Sequence, residues 1–392
     1  MKLKYTLAGA GVLCLAATSP LWAQGGPTVG GAGNAARAGT GNQVTNPSQG
    51  IPEGAPGDDS SFNDANSDAM QQAYKDYSQK KFAVATPELQ AILKKSPNTL
   101  EAHEMLASIY TIQNQFPQAI PELQAVVRLQ PKRLDFRENL GKVYLQTGST
   151  AKGAAEFQAL LAQQPTNETY AVEYATALAH GDKKTEAAAA FEKAAVLAPK
   201  DSQPYFNAGM LYHDAGNDAK AVPDLKTALA LGTTQKFYAY RALAEAADKA
   251  KQNSDAIEYY TQATQANPAD FGAEANLGIL QQNSGKKADA EASYRQALTL
   301  KDDDPKAIAG IQENLAGLLR AEGKPEQLDE AATLLTQAAV ADPANISVQD
   351  NLGAIYQKQG KKDLALAAYK RALALNPNNG VANAGIAALS KP

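Results

Sequence analysis

Residues 346–379 read ISVQDNLGAIYQKQGKKDLALAAYKRALALNPNN. Within them Asn351-Leu352-Gly353 and Tyr356 precede a break at Gln359-Gly360, and Ala365, Tyr369 and Ala372 follow before Pro377-Asn378-Asn379. Apolar and small residues recur at helical intervals on each side of the break, the pattern of two helices joined by a turn. The stretch is one copy of a repeat. Pro97, Pro131, Pro165 and Pro199 lie 34 residues apart, and Pro343 and Pro377 restate the interval. Proline interrupts the backbone ladder of a helix, so an even comb of prolines through a helix-forming chain marks repeated helix boundaries. A period of 34 is that of helix–turn–helix units stacked side by side.

The framework returns along the chain. One copy has Asn139-Leu140-Gly141, Tyr144, Gly148, Phe157 and Pro165; another has Asn276-Leu277-Gly278, Gly285, Ala290, Tyr294 and Ala297. Weaker copies centre on Leu106-Ala107, Tyr174-Ala175, Gly209 and Leu243-Ala244. This framework resembles the tetratricopeptide repeat over residues 66–379, with units starting near Asn66, Leu100, Leu134, Glu168, Ser202, Phe237, Phe271, Ala309 and Ile346. The resemblance implies an all-α, right-handed superhelical solenoid of nine helix–turn–helix repeats, a concave face lined by first helices, and a C-terminal capping helix within 380–392. Two features depart from the family: Asp76 stands where the first helix usually has tyrosine, and the tryptophan common early in that helix is absent from every unit.

The recurring residues have mechanical reasons. Gly141, Gly209, Gly278 and Gly353 let the two helices of a unit approach, while Ala119, Ala187, Ala221, Ala256, Ala290 and Ala365 fill the facing side. Tyr144, Tyr212, Tyr356, Phe157, Phe191, Tyr260, Tyr294 and Tyr369 supply bulk to the layer shared with the next unit. Two irregularities predict loops: a widened junction at Lys301-Asp302-Asp303-Asp304-Pro305, and a turn lengthened by about three residues at Glu322-Gly323-Lys324-Pro325.

Ahead of the repeats, residues 1–23 read as a secretory signal. Lys2 and Lys4 are followed by the apolar run Thr6 to Ala17, and Leu21-Trp22-Ala23 offers cleavage before Gln24. Leu13 stands before Cys14 where lipidation of the bacterial type wants a small residue. Residues 24–63, rich in Gly, Asn, Thr, Pro and Gln, read as a disordered linker. Cleavage removes the only Cys and the only Trp. It also removes two of the 37 basic residues, leaving 35 against 41 acidic, a net charge of −6. A chain of that sign, without a polybasic stretch, is not expected to bind nucleic acid or insert its mature part in a membrane. The expected location is the periplasm or the extracellular medium.

No catalytic motif stands out. His103, His180 and His213 have no metal-ligand spacing, and Ser78-Gln79-Lys80-Lys81 and Gly31-Ala32-Gly33 lack the partner elements that their chemistry needs. No enzyme activity, metal or cofactor is expected. The family resemblance implies a scaffold that holds peptides or proteins in its groove, where asparagines of the first helices bond a ligand's backbone. Asn139, Asn207, Asn276, Asn314 and Asn351 occupy the matching place. A competing reading makes them part of the repeat's own packing. Glu101, Glu104, Asp135 and Glu138 fall on the corresponding face where carboxylate-clamping members carry basic residues, so a basic segment is the expected partner. Tyr205, Phe206, Met210 and Tyr238 could receive an aliphatic side chain or could serve as core, and Lys142, Arg241 and Arg320 read as solvated single charges. The alternative function is a part of an envelope polysaccharide export or assembly machinery that touches glycan, which would need Tyr74, Tyr77, Tyr170 and Tyr259 at the surface. An enzyme would need His213 joined to a carboxylate in a pocket.

Overall fold

The computed structural model describes residues 64–390, except Lys301 and Asp303; the expected signal (1–23) and linker (24–63) lie outside them. The described residues form nineteen helices and no strand. They fall into two compact units divided between Thr233 and Thr234. In the first, helical hairpins follow one another: α1 (Asp64–Ser78) with α2 (Phe82–Lys95), α3 (Leu100–Ile112) with α4 (Phe116–Leu129), α5 (Leu134–Gln146) with α6 (Thr150–Gln163), α7 (Glu168–His180) with α8 (Lys184–Leu197), and α9 (Ser202–Asp214) with α10 (Asp218–Ala230). The second holds α11 (Lys236–Lys249) with α12 (Asn253–Ala266), α13 (Phe271–Asn283) with α14 (Lys287–Thr299), α15 (Pro305–Glu322) with α16 (Pro325–Ala341), α17 (Ile346–Lys358) with α18 (Lys362–Leu375), and a last helix α19 (Gly380–Leu389). Among the described residues no helix is long and apolar enough to cross a membrane.

Local chemistry sets the boundaries. Several first helices start on side-chain caps: Asn167 accepts from the Tyr170 N–H, Asp201 from Gln203, Asp270 from Ala273 and Asn345 from Val348. Each hairpin turn passes through the left-handed region, at Gly148, Gly216, Gly285, Gly323 and Gly360, and equally at Lys80, Asn114, Asp182 and Lys251. Three prolines defy the boundary rule, for Pro87, Pro121 and Pro223 lie inside α2, α4 and α10. Each sits near the start of its helix and is exposed, so the missing N–H removes one bond on the solvent side.

Packing confirms why the small residues recur. A Cβ on Gly353 would meet the Tyr369 ring at 2.5 Å, on Gly278 the Tyr294 ring at 2.7 Å, and on Gly209 Leu225 at 2.7 Å. The facing alanines 119, 187, 221, 256, 290 and 365 are fully buried. Cores bridge hairpins rather than closing within them: one cluster joins Ala73, Leu89, Leu106, Leu123 and Tyr144, so each hairpin covers its neighbour. Tyrosine hydroxyls stitch the same seams. Tyr110 accepts from Gln90 at 2.9 Å and Tyr144 from Gln124 at 2.6 Å, while Tyr212 donates to Glu192 at 2.8 Å, each bond linking a second helix to the next first helix. On α19, Ile386 and Leu389 pack against Tyr369 and Ala372 of α18.

The eighth hairpin differs from its sequence reading. It begins at Pro305, so the junction at 300–304 exceeds the usual four residues by only one, and the turn between α15 and α16 is just Gly323 and Lys324. The extra length extends the helices instead, to 18 and 17 residues against 13 to 15 elsewhere in the hairpins. Gly323 caps α15 in the left-handed conformation and Pro325 opens α16, a pairing that makes a short turn from residues that read as a long one.

Candidate partner-binding face

The first helices of neighbouring hairpins meet side by side within the first unit. Glu101 and Glu104 stand on α3, Asp135 and Glu138 on α5, and Tyr170 on α7. The inter-hairpin loop threads Arg133 among them. Its guanidinium donates to Glu104 at 2.5 Å and in bidentate fashion to Asp135 at 3.1 and 3.0 Å, and it lies over the Phe136 ring at 4.7 Å. Lys142 donates to Glu138 at 2.7 Å. Four carboxylates thus share two cations.

The electrostatics carry that excess. Burial pushes the Glu104 carboxyl above its ordinary range; Arg133 opposes the shift, and Glu101 and Asp135 reinforce it. The Tyr170 phenol is pushed up to about 12, first by burial and then by Glu138 and Asp135. Glu101 and Asp135 are exposed, Glu104 and Glu138 half-buried, so a cation from solvent reaches the first pair most readily. Sequence reading placed these four acids together but missed both cations. Lys142 is buried and paired rather than solvated, which its spacing of four from Glu138 on one helix could have signalled. Nothing in the sequence signals Arg133, which reaches Glu104 across a hairpin boundary.

The asparagines are drawn into the protein's own bonding. Asn139 and Asn207 are buried, and Asn207 accepts from Gln203 at 2.9 Å. Asn276 bonds the Tyr260 hydroxyl. Asn351 donates to Glu313 at 3.1 Å, joined there by Asn345 at 3.1 Å and by Ser347. Asn314 is half-buried on α15. Phe206 and Met210 are core, whereas Tyr205 and Tyr238 keep part of their surface. Of the tyrosines relevant to glycan, Tyr77 and Tyr170 are buried, Tyr259 is half-buried and Tyr74 is exposed. His213 bonds Asp218 at 2.9 Å across the α9–α10 turn, and His103 spans Glu122 at 2.5 Å and the Pro97 carbonyl at 3.0 Å. Among the described residues no group of three or more His, Cys, Asp or Glu is placed to hold a metal ion.

Three family models described as tetratricopeptide repeat match residues 112–168 and 241–308, 202–231, and 351–379. The mouse (Mus musculus) Protein O-mannosyl-transferase TMTC3 is 33% identical over 147 residues, 34% of this chain and 15% of the relative. Cellulose synthase operon protein C of Pseudomonas fluorescens (strain SBW25) is 32% identical over 141 residues, again 34% of this chain and 10% of the relative. The chain therefore spans a small part of the curated relatives it matches. The C-terminal part of a TPR repeat-containing protein from Cytophaga hutchinsonii is 18% identical and covers 63% of this chain and 98% of its own, with a TM-score of 0.49. Repeat models matching at intervals along a 34-residue framework, wholly helical among the described residues, identify the matched stretches 112–168, 202–231, 241–308 and 351–379 as tetratricopeptide repeats.

Proposed function

We propose that this chain is a non-catalytic scaffold that binds peptide or protein partners, with a basic segment recognised by Glu101, Glu104, Asp135 and Glu138. Tetratricopeptide repeats themselves suggest an interaction scaffold. The observation that carries the finer reading is the excess of carboxylates on α3 and α5, where burial and the neighbouring Glu101 and Asp135 push the Glu104 carboxyl above its ordinary range. A lysine- or arginine-rich segment relieves that repulsion, and weak contacts repeated along successive first helices add up. The asparagine row serves this reading less directly, because Asn207, Asn276 and Asn351 already have partners within the chain. Contact with glycan has less support, since two of its four tyrosines are buried.

The test is fluorescence anisotropy with a labelled lysine-rich peptide and an acidic peptide of equal length. The basic peptide binds with a salt-sensitive affinity, and Glu101→Gln with Asp135→Asn weakens it roughly tenfold, as loss of two rim charges each of up to about 1 kcal/mol implies. Equal binding of both peptides, or no change in the double variant, overturns the reading. Export to the periplasm or beyond is part of the same proposal and rests on Lys2, Lys4 and the apolar run that follows. N-terminal sequencing of the protein from an envelope fraction should begin at Gln24; a chain that keeps Met1 rules export by this signal out.

A further inference from the structure

Arg133 departs from the residues that hold its place in most other repeats. The residue just before α7, α9, α13, α15, α17 and α19 is Asn167, Asp201, Asp270, Asp304, Asn345 and Asn379 in turn, and its side chain accepts from an N–H of the helix it precedes. Arg133 stands there before α5 and makes no such cap, since a guanidinium has no acceptor. Its reach back to Glu104 follows a habit of the fold. Asn345 donates to Glu313 of the preceding first helix at 3.1 Å, and Asn379 to Asp350 at 2.9 and 2.8 Å. A neutral amide suffices for that tie. The remaining contacts of Arg133 are not needed for it.

Those contacts have the form of recognition. The fork of Arg133 donates to both oxygens of Asp135, and its Cζ lies 4.7 Å from the centre of the buried Phe136 ring. A planar guanidinium answers carboxylate and ring at once, whereas an ammonium, a point charge, cannot form the fork. The pair is also open to solvent. Of the Arg133 side chain 31% is exposed, and of the Asp135 side chain 48%, the setting in which an ion pair contributes least. A side chain held so lightly yields its place to a competitor that brings the same group.

We propose that Arg133 occupies the place of a partner's arginine and keeps the acidic face closed until such an arginine displaces it. The inference rests on the reading of that face as the site for a basic segment, and it narrows the segment to one that carries arginine. When Arg133 leaves, Glu104, whose side chain is 12% exposed, loses the cation paired with it, and the incoming guanidinium restores one.

Fluorescence anisotropy on the full chain tests this with two labelled peptides of equal length and charge, one rich in arginine and the other in lysine. An intrachain competitor that covers the face about four-fifths of the time weakens apparent affinity about fivefold. Arg133→Ala should therefore bind the arginine peptide about fivefold more tightly. Lys132→Ala is the control, for it removes an equal charge from an exposed residue one position away. It should strengthen binding of both peptides alike, by less than about twofold. The lysine peptide should gain no more from Arg133→Ala than from this control. A gain for the arginine peptide no larger than the control's, or an equal gain for both peptides, overturns the inference and leaves the acidic face standing. If neither peptide binds any of the chains, the acidic face itself fails and the inference with it. Should Arg133→Ala not fold, Arg133→Lys keeps the charge and gives up the fork. It should strengthen binding of the arginine peptide alone, by about twofold, and no gain overturns the inference.

Discussion

At Gly216 the chain turns from α9 into α10 with φ 75, and nothing lies within 4 Å of the place a Cβ would take. Substitution there tests the backbone alone. Lys251 fills the corresponding turn between α11 and α12 at φ 61 with an L side chain, a conformation that costs roughly 1–2 kcal/mol. Gly216→Ala should therefore lower stability, and Lys251→Gly raise it, each by about 1 kcal/mol after the extra freedom of glycine in the unfolded chain is counted. Urea midpoints measure both. Shifts of the same sign would show that contacts, not the backbone, dominate these turns. The glycine turns were legible in the sequence because glycine marks that conformation; Lys80 and Lys251 were not, since lysine carries no such mark. Burial of Lys142 escaped notice for a related reason, as its pairing with Glu138 depends on how deep that face lies.

Periodicity made most elements readable, and its one stumble is informative. Helix starts at Leu100, Leu134, Glu168, Ser202, Phe271 and Ile346 coincide with the repeat register. In the eighth hairpin the register slipped because an alignment keyed to small residues cannot tell a longer loop from a longer helix. Gly323 and Pro325 suit either. The longer helices bury more: Leu315, Leu319, Leu328 and Leu335 join Leu352 and Ile355 of the next hairpin in one cluster. Leu335 is wholly buried on α16, so Leu335→Ala leaves a cavity among residues of several helices. The expected loss is about 2–5 kcal/mol, read from chemical denaturation. A loss below about 1 kcal/mol, the range of surface substitutions, would mean that this cluster collapses around the gap and that the added length does not anchor the hairpin. The site was less legible than the fold for the same reason: repeats fix where a residue sits, whereas Arg133 acts across a boundary between repeats.

For the chain as a whole, burial of carboxyls sets the response to acid. Burial raises Glu104, Asp224, Glu274 and Asp350, while Arg295 holds Glu330 below its ordinary range. Asp224 moves furthest, to about 6 from 3.8, through burial first and the nearby Glu192 second, with Lys220 opposing; its buried Oδ2 has no hydrogen-bond partner among the described residues. A carboxyl that binds its proton more tightly when folded favours the folded state fully below pH 3.8, and this contribution is lost as pH rises through about 6. Glu330 acts in the opposite sense, but its contribution is lost only as pH falls below the ordinary glutamate value, outside the window between pH 7 and 5. The His180 imidazole, which burial holds below its ordinary value, opposes this over the same interval, so the carboxyls' own share rises on going from pH 7 to pH 5. Asp224 is half exposed, so solvent screening reduces its share to about 1 kcal/mol. Asp224→Asn should be more stable than the unaltered chain at pH 7 and should flatten the rise by that share, measured as urea midpoints at the two pH values. A variant that keeps the full slope would place the effect on Glu104, Glu274 and Asp350 instead, and a chain that loses stability over this interval would show that the His180 imidazole outweighs the carboxyls that burial strains.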